Sequence, residues 1–226
     1  MRRKKANEST PLLFSELPFQ TYEEVILHPA FRRKTVVLLG AHGVGRRTLR
    51  RSLVQSRPDL FANTVSHTTR KPEPYEIDGV HFYFVQKEEM ASDILNKEFL
   101  EYGTRKNILF GTRLDSVRKV MSSGRLPVLD VEPKALRILR SAEFAPFVIF
   151  IAPPCLSLLI RDSMHETMNS ALAKLNKESE IMEYVYRPYI DKVVVHQNVD
   201  DSIQEIIDFI TETQESKQWV PISWVF

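Results

Sequence analysis

A short glycine-rich segment constrains the fold of this chain more than any other feature. Three of the seven glycines among the 226 residues lie within it, at Gly40, Gly43 and Gly45. The segment follows Thr35 to Leu39, a β-branched and aliphatic run that is typical of a strand buried on both faces of a parallel sheet. Leucines at helical spacing come next and end before Pro58. A strand, a glycine-rich turn and a helix in this order predict a loop whose backbone N–H groups surround phosphate oxygens.

The loop departs from the pattern of active phosphate-binding loops, G-x-x-x-x-G-K-[ST], at its two chemical positions. Arg46 stands where the lysine would reach the terminal phosphates, and Arg47 stands where a hydroxyl would hold Mg²⁺. Thr48 carries a hydroxyl, but one position late. Arginine keeps the charge in a bulkier, forked group, and phosphoryl transfer depends on the missing metal ligand. We therefore expect a loop that is kept in structure and impaired in catalysis.

The remaining apolar segments alternate between strand-like and helical patterns. The strand candidates are Pro127 to Val131, Phe147 to Ile151 and Val193 to Val195, and the helical candidates are Arg113 to Met121, Ala171 to Tyr186 and Ser202 to Glu212. This alternation predicts an α/β fold with a mostly parallel sheet and right-handed crossovers. Residues 63 to 112 differ, because the strand candidate Gly79 to Val85 is surrounded by glycines, prolines and charges. We expect a small inserted lobe with antiparallel strands there.

Both ends of the chain carry unusual segments. Residues 1 to 20 combine the basic cluster Arg2 to Lys5 with polar residues and prolines, which predicts a flexible linker. The cluster is either a solvated charge run or a contact for an acidic partner. Tyr22 to Leu27 is a strand candidate without a neighbour, and Lys217 to Phe226 is an apolar tail in which alternate residues from Trp219 to Val225 would share one face. A free tail of this kind would aggregate, so we expect the two strands to pair.

The charge balance and the single cysteine exclude several classes of protein. The chain has 31 basic and 29 acidic residues, so we expect no nucleic acid held by a global electrostatic attraction. Cys155 excludes a disulfide framework and a zinc site of several thiolates, and the histidines lack metal-ligand spacing. No apolar region follows Met1 as in a signal peptide, and no apolar run is long enough to cross a bilayer. We expect a cytoplasmic protein without a transmembrane segment.

Several motifs together resemble the guanylate kinase domain, over about residues 21 to 226. They are Arg33 to Arg47, His67 to Arg70, Phe99 to Gly103, Phe110 to Thr112, Leu129 to Pro133 and Phe147 to Pro153. Tyr22 to Val25 before the domain and Gln218 to Val225 after it resemble the membrane-associated guanylate kinase (MAGUK) scaffolds. Leu38 to Arg47 and Glu143 to Phe147 look closest to the CASK and membrane palmitoylated protein branch of that family.

The resemblance implies an organisation into four parts. Residues 32 to 213 would form a P-loop nucleotide-kinase-like parallel sheet with an inserted antiparallel lobe of the GMP-binding type. The flanking strands, residues 21 to 28 and 217 to 226, would pair as the remnant of a split SH3 module. Residues 1 to 20 resemble the basic hook of the family, a contact for a FERM-domain protein. The rest of the SH3 barrel and any PDZ domain would lie upstream, which implies a fragment or a truncated isoform.

The resemblance also assigns a guanine site residue by residue. The matching positions all keep hydroxyl or carboxylate side chains, which can hydrogen-bond a guanine ring, and are Ser66, Glu101, Thr112, Asp130 and Glu132. Arg161 and Lys174 lie near the positions of the family's lid cations. The guanine half of the site is therefore expected to be intact.

The positions that would hold the GMP phosphate have changed. Arg70 and Glu76 match the family, but Glu73 stands where a second arginine is expected and would repel a phosphate. Phe82 and Phe110 replace two tyrosines and lack their hydroxyl donors, although plain core packing is an alternative explanation for both. We expect this half of the site to have lost its phosphate affinity.

Three functions follow from these expectations. The first is a catalytically inactive or strongly impaired domain without catalytic residues, which binds protein ligands and the SH3 region of its parent protein as part of a scaffold at the plasma membrane or cell junctions. The second is a residual guanylate kinase, converting ATP and GMP to ADP and GDP. The third is a nucleotide-binding switch without turnover. No resident cofactor or metal is expected, beyond weak binding of GMP or ATP.

Overall fold

The computed structural model of the protein describes residues 22–154 and 166–226, and within 166–170 the backbone only. The described strands are β1 (Val25–His28), β2 (Thr35–Leu39), β3 (Phe61–Ala62), β4 (His67–Thr68), β5 (Tyr83–Phe84), β6 (Phe99–Arg105), β7 (Ile108–Arg113), β8 (Leu126–Asp130), β9 (Pro146–Ala152), β10 (Lys192–Val195) and β11 (Gln218–Pro221). The described helices are α1 (Arg46–Ser56), α2 (Lys87–Leu95), α3 (Leu114–Ser122), α4 (Leu136–Leu139), α5 (Glu166–Tyr186) and α6 (Val199–Glu215), with 3₁₀ turns at Pro133–Ala135, Arg187–Tyr189 and Ile222–Trp224. None of the helices in these ranges has the length and apolar character needed to span a membrane.

The buried run at β2 forms the centre of a five-stranded parallel sheet with the order β10-β9-β2-β8-β3. Val36 and Leu38 face one hydrophobic core, with α1 and α6, whereas Val37 and Leu39 face a second core, with α3 and α4. Each of these fully buried side chains contributes about 1.5–3 kcal/mol to folding. The prediction of an α/β fold with a parallel central sheet is confirmed.

The inserted lobe is a four-stranded sheet with the order β5-β4-β7-β6. β7 pairs antiparallel with β4 and β6, as predicted, but β5 pairs parallel with β4. The predicted strand from Gly79 to Val85 is too long, since only Tyr83 and Phe84 form β5. The residues before them form a turn, in which the N–H of Gly79, at a φ of 75°, donates to the carbonyl oxygen of Phe82 at 2.8 Å. Local turn hydrogen bonds have replaced strand pairing there.

The two ends of the described chain pair with each other, as the sequence predicts. β1 and β11 form an antiparallel ribbon in which Val25 lies opposite Pro221 and His28 lies opposite Gln218. The predicted bounds were wrong at both strands, because β1 begins at Val25 rather than Tyr22 and β11 ends at Pro221.

The tail beyond Pro221 does not continue the predicted alternation. It turns into a 3₁₀ helix, Ile222–Trp224, and the N–H of Ile222 donates to the carbonyl oxygen of Glu24 at 2.9 Å. Trp224 is thereby buried, with 8 % of its surface exposed, and stacks on Phe31 at a centroid distance of 6.0 Å. Burial of the indole against the domain outweighs continuation of a two-stranded ribbon, which is marginally stable alone.

A buried arginine links the ribbon of β1 and β11 to the central sheet through hydrogen bonds and an ion pair. Arg33, with 9 % of its side chain exposed, forms a two-pronged ion pair with Asp191, with both N–O distances at 3.2 Å. It also donates to the carbonyl oxygen of Pro146 at 2.5 Å and to Oε1 of Gln218 at 3.1 Å. Its donors thus join the start of β9, the residue before β10 and the first residue of β11.

The same guanidinium lies between two aromatic rings. Its central carbon is 5.3 Å from the ring centroid of Trp224 and 5.7 Å from that of Phe147. Gln218, which accepts from Arg33, donates in turn to the carbonyl oxygens of Phe31 at 2.7 Å and Thr213 at 2.8 Å. The ribbon is therefore held by a connected polar network as well as by apolar packing.

We expect Arg33→Met to destabilise the domain by about 3 kcal/mol, because it leaves Asp191 and Gln218 without their buried partner. Urea unfolding of the full chain measures this change. Arg32→Met, at the exposed neighbouring residue, removes the same charge and should change the free energy of unfolding by less than about 0.5 kcal/mol. Equal effects of the two substitutions would contradict the assigned role of Arg33.

Candidate functional site

The glycine-rich loop leaves the carboxyl end of β2 in conformations that other residues rarely adopt. Gly40 has a φ of 149°, and a Cβ there would lie 2.5 Å from the carbonyl oxygen of Ile151. Gly45 has a φ of 102°, and a Cβ there would lie 2.8 Å from the ring of His196. α1 begins directly afterwards at Arg46. The backbone therefore requires glycine at both positions, as expected for a loop of this kind.

The two arginines of the loop have different surroundings. Nη1 of Arg46 donates to the carbonyl oxygen of Val131 at 2.9 Å, and its Nε lies 3.3 Å from Oδ1 of Asp130. Arg47 and Thr48 are exposed, and Arg47 has no hydrogen bond or ion pair with any described residue. The cation at the position of the phosphate-binding lysine is thus engaged by the protein itself.

A cavity of about 450 Å³ lies between the loop and the end of β8. It is lined by His42, Gly43, Gly45, Arg46, Arg47, Glu101, Asp130 and Glu132. β2 and β8 are hydrogen-bonded neighbours with Leu38 opposite Asp130, so the ends of both strands meet at this edge. Burial raises the pKa of Glu101, and the charges of Asp130 and Glu132 raise it further. A hydrogen bond from the backbone N–H of Glu132 opposes the shift, as does, more weakly, the charge of Arg46. The cavity therefore concentrates carboxylates beside a phosphate-type loop.

A second cavity of about 360 Å³ adjoins the first and shares Glu101 and Glu132 with it. It is lined by Ser66, Phe82, Glu101, Tyr102, Gly103, Phe110, Gly111, Thr112, Glu132 and Lys134. The hydroxyl oxygens of Ser66 and Thr112 lie 3.4 Å apart on its wall. Four of the five predicted guanine contacts line this cavity, and the fifth, Asp130, lines the first. Their role in binding a base stays a prediction.

The predicted phosphate arginine is already paired within the lobe. Nη1 and Nη2 of Arg70 contact the two carboxylate oxygens of Glu76 at 2.6 and 2.7 Å. The backbone N–H of Glu73 donates to the same carboxylate at 2.8 Å. The hydrogen bonds from Arg70 and then from Glu73 lower the pKa of Glu76 from 4.5 to about 2. A phosphate would have to compete with this two-pronged carboxylate for Arg70.

The aromatic residues of the lobe line the cavity wall. Phe82 and Phe110 are half-buried and meet edge to face at a centroid distance of 6.4 Å. Neither belongs to the fully buried core. Phe82 and Phe84 also lie under the guanidinium of Arg70, at 5.3 and 5.5 Å from its central carbon. The second cavity thus has an apolar wall where the resemblance implied phosphate donors.

The predicted site residues leave out five residues that line the cavities, His42, Tyr102, Gly103, Gly111 and Lys134, and sequence reasoning did not predict the pairing of Arg46 and Arg70. Tyr102 follows Glu101 and Lys134 lies two residues after Glu132, so proximity to a predicted residue was the available signal.

His67 is buried between the rings of Tyr83 and Phe99, at centroid distances of 4.7 and 5.7 Å. Burial, with the nearby cations of Arg113 and Lys119, lowers its pKa to about 4. A neutral His67 packs in the lobe and offers no charge to a ligand.

Some predicted features lie outside the described residues, namely Cys155, Arg161 and the basic cluster Arg2 to Lys5. Lys174 is an exposed residue of α5. Across residues 22–154 and 166–226, no group of three or more histidine, cysteine, aspartate or glutamate side chains is placed to hold a metal ion.

Comparison with known proteins finds a matching family and several similar proteins. The sequence pattern of the family described as guanylate kinase matches residues 32–213. Protein lin-2 of Caenorhabditis elegans is 42 % identical over 214 residues, which cover 95 % of this chain and 22 % of that protein. PALS2 of Homo sapiens is 39 % identical over 224 residues, which cover 94 % of this chain and 41 % of that protein. MAGUK p55 subfamily member 2 of Rattus norvegicus is 39 % identical over 214 residues, which cover 91 % of this chain and 39 % of that protein. The chain therefore spans only 22–41 % of the length of these curated relatives.

A solved structure shares the fold. The SH3-kinase fragment of tight junction protein 3 superimposes with a TM-score of 0.50 and 19 % sequence identity, over 88 % of this chain and 65 % of that chain. At this identity the similarity establishes the fold alone.

We expect the pair of Arg70 and Glu76 to make the stability of the domain depend on acid pH. Because the folded-state pKa of Glu76 is depressed, its stabilising contribution is present above 4.5 and is lost as the pH falls from 4.5 towards 2. Urea unfolding across this range should therefore show a steeper loss in the wild type than in Glu76→Gln. Glu73→Gln is the matched control, because its carboxylate attracts Arg70 but forms no ion pair with any described residue, and it should stay close to the wild-type profile. Identical profiles for the wild type and Glu76→Gln would show that the pair does not form.

Proposed function

Since the chain belongs to the guanylate kinase family and is homologous to the MAGUK proteins, we propose that it is a protein-interaction module of a scaffold whose nucleotide kinase activity is lost or strongly impaired. The observation that carries the proposal is the state of the phosphate loop. Its backbone is kept, but Arg46 is paired with Asp130 and Val131, and Arg47 replaces the metal-binding hydroxyl. Without that hydroxyl, and with the cation at the lysine position already paired, Mg-ATP loses two of the contacts on which phosphoryl transfer depends.

The acceptor side of the cavity supports the same proposal. Arg70 is held by Glu76, and the neighbouring wall is formed by Phe82 and Phe110 rather than by hydroxyl donors. A GMP phosphate would meet one engaged arginine and an apolar surface. Apolar and aromatic groups of this kind suit the side chains of a protein ligand better than they suit a dianion.

The surface of the lobe also favours a protein ligand. Tyr75, Ile77 and Val80 have 74 %, 60 % and 63 % of their surface exposed. The loop that carries them is ordered, because the N–H of Ile77 donates to Nδ1 of His81 at 3.1 Å and its carbonyl oxygen accepts from Val80 at 3.2 Å. Large apolar side chains on an ordered loop offer contact area at a low entropic cost.

The terminal ribbon is proposed to join a larger SH3 unit of the parent protein. Val25, Leu27 and Trp219 are exposed on it, with Trp219 at 64 %. The relatives extend well beyond the matched region, which leaves room for an SH3 barrel that would cover these side chains. The parent scaffold would organise complexes at the plasma membrane or at cell junctions, with a FERM-domain protein at the basic segment Arg2 to Lys5.

Weak nucleotide binding is the second candidate function, as a residual guanylate kinase or as a switch without turnover. The observation in its favour is the assembly of Ser66, Thr112 and Glu101 around one cavity, where a base could hydrogen-bond. We propose that any such binding of GMP or ATP is weak and that the domain has no resident cofactor.

We expect no significant conversion of GMP and Mg-ATP to GDP and ADP. A coupled assay with the full chain measures this, beside a functional guanylate kinase as the positive control. Kinases typically turn over at about 1–100 per second. A rate within an order of magnitude of that range would overturn the proposal of a non-catalytic module.

We expect the affinity for protein ligands to depend more on the aromatic wall of Phe82 and Phe110 than on Arg70. A peptide selected on the immobilised wild-type domain should lose more than about tenfold in affinity with Phe110→Ala, since aromatic contacts dominate such interfaces. The double variant Arg70→Ala/Glu76→Ala removes the ion pair without leaving a lone charge, and should bind nearly as the wild type does. Calorimetry with the phosphorylated and unphosphorylated peptide provides the comparison. Loss of binding on dephosphorylation and in the double variant would show that a phosphate site is in use.

A further inference from the structure

The guanidinium of Arg46 lies against three consecutive residues at the carboxyl end of β8. Nη1 donates to the carbonyl oxygen of Val131 at 2.9 Å, and Nε and Nη2 lie 3.3 Å from Asp130 and 3.7 Å from Glu132. We propose that Arg46 is an internal ligand of its own cavity, and that it keeps a guanine base from the carboxylates that it occupies. The inference rests on the candidate nucleotide-binding function and is independent of the proposed scaffold function. No guanosine binding in any variant would overturn both that candidate function and the inference, whereas equal, measurable binding in the wild type and in Arg46→Met would overturn the inference alone.

The backbone that carries Arg46 is held in a fixed conformation. Gly45, immediately before Arg46, is held in the left-handed region and abuts the ring of His196. Nδ1 of His196 lies 2.9 Å from the hydroxyl of Ser202, which fixes the ring. The backbone that carries Arg46 therefore has little freedom, and its side chain reaches the end of β8 without a mobile loop.

The contact is shielded from water. The side chains of Arg46 and Asp130 are 12 % and 14 % exposed, whereas Glu132 is 63 % exposed. Exposed ion pairs contribute little, but a shielded ion pair beside a hydrogen bond to a carbonyl oxygen is stronger. Asp130, through its charge, and Val131, through its carbonyl oxygen, are therefore the main partners of Arg46, and Glu132 adds a weaker attraction.

The carboxylates that line the cavity repel one another, and a cation such as Arg46 reduces that repulsion. Glu101, Asp130 and Glu132 all line the cavity, and the burial of Glu101 together with the neighbouring negative charges raises the pKa of Glu101. Arg46 opposes that shift, and it also forms the ion pairs with Asp130 and Glu132. Removing Arg46 would leave the three carboxylates of this cavity without the cation that pairs with Asp130 and Glu132.

A guanidinium and a guanine base offer these acceptors the same donor pattern. A guanidinium presents adjacent N–H groups on one planar N–C–N unit, which suits carboxylates. The N1–H and N2–H₂ groups of guanine form a comparable donor edge on an N–C–N unit of the ring. Adenine lacks it, because its N1 is an acceptor. Guanine and Arg46 would therefore compete for the same oxygens, and adenine would not.

The competition favours the tethered group. Arg46 is covalently attached, so its effective concentration at the carboxylates is in the millimolar range or above. The apparent affinity for a free base falls by the fraction of time that the acceptors are unoccupied. If Arg46 occupies them about 90–99 % of the time, the observed affinity is reduced about tenfold to a hundredfold.

The test compares guanosine and adenosine binding to the full chain and its variants by calorimetry. Guanosine is chosen because it carries no phosphate. Removing a positive charge from the loop therefore cannot weaken its binding through a lost phosphate contact. Arg46→Met keeps an unbranched side chain and removes the donors, and guanosine should bind at least about tenfold tighter than to the wild type. Arg51→Met, an exposed arginine of the same helix outside both cavities, makes the same change in charge and should leave guanosine binding at the wild-type level.

Adenosine binding should remain unchanged in all of these variants. Equal guanosine affinities in the wild type and in Arg46→Met would overturn the proposal. So would an equal gain for adenosine, since that would indicate an opened cavity without recognition of the donor edge.

Two further measurements decide the case if Arg46→Met is unstable. Arg46→Lys keeps the charge and the stem but cannot span Val131 and the carboxylates as a planar fork, so guanosine affinity should rise by a smaller factor. Methylguanidinium at millimolar concentration should lower guanosine binding competitively in whichever variant folds. No gain in Arg46→Lys, or no competition by methylguanidinium, would show that Arg46 and guanine do not share these acceptors.

Discussion

The buried guanidinium of Arg33 is the interaction on which the arrangement of the described chain depends. A buried cation is costly unless its donors are satisfied, and Arg33 satisfies them with Asp191, Pro146 and Gln218. Those partners lie 113 to 185 residues away in sequence. One side chain therefore joins the central sheet to the strand that ends the chain. Its contact with the ring of Trp224, together with the stacking of Trp224 on Phe31, favours the inward turn of the tail over its extension as a ribbon.

The parallel sheet determines where the site forms. The carboxyl ends of neighbouring parallel strands meet at one edge, so the loop after β2 lies beside the residues that follow β8. This proximity lets the first residue of α1 reach Asp130. The inserted lobe adds Glu101 and Thr112 from a separate sheet, which makes the two cavities continuous through shared carboxylates.

Two of the three arginines at the site satisfy their charges within the protein, whereas Arg47 has no ion pair with any described residue. Arg46 is paired with Asp130, and Arg70 with Glu76. In a working phosphate site such cations would be available to the ligand, because their interaction with phosphate provides the binding energy. Internal pairing leaves a cavity with hydroxyl groups, carboxylates and an aromatic wall. That chemistry agrees with the proposal of a module that keeps the guanylate kinase fold without its kinase activity.

The sequence alone determined the elements whose causes are local. A run of buried aliphatic residues predicted β2, glycines with left-handed φ marked the loop, and an unpaired apolar segment at each end predicted the ribbon of β1 and β11. Hydrophobic periodicity and backbone sterics act over a few residues, so they can be recognised from the chain. The motifs also identified residues that line the two adjoining cavities, and their role in binding guanine stays a prediction.

Only the tertiary structure decided which groups the long cationic side chains contact. Arg46 reaches a carbonyl 85 residues away, and the acceptors of Arg33 and Arg46 depend on which strands become neighbours. The short length of β5 and the inward turn at Trp224 were likewise decided by competing turn hydrogen bonds and by burial against distant residues. Arginine has many rotamers of similar energy, so its partner is selected by the acceptors that the fold places within reach.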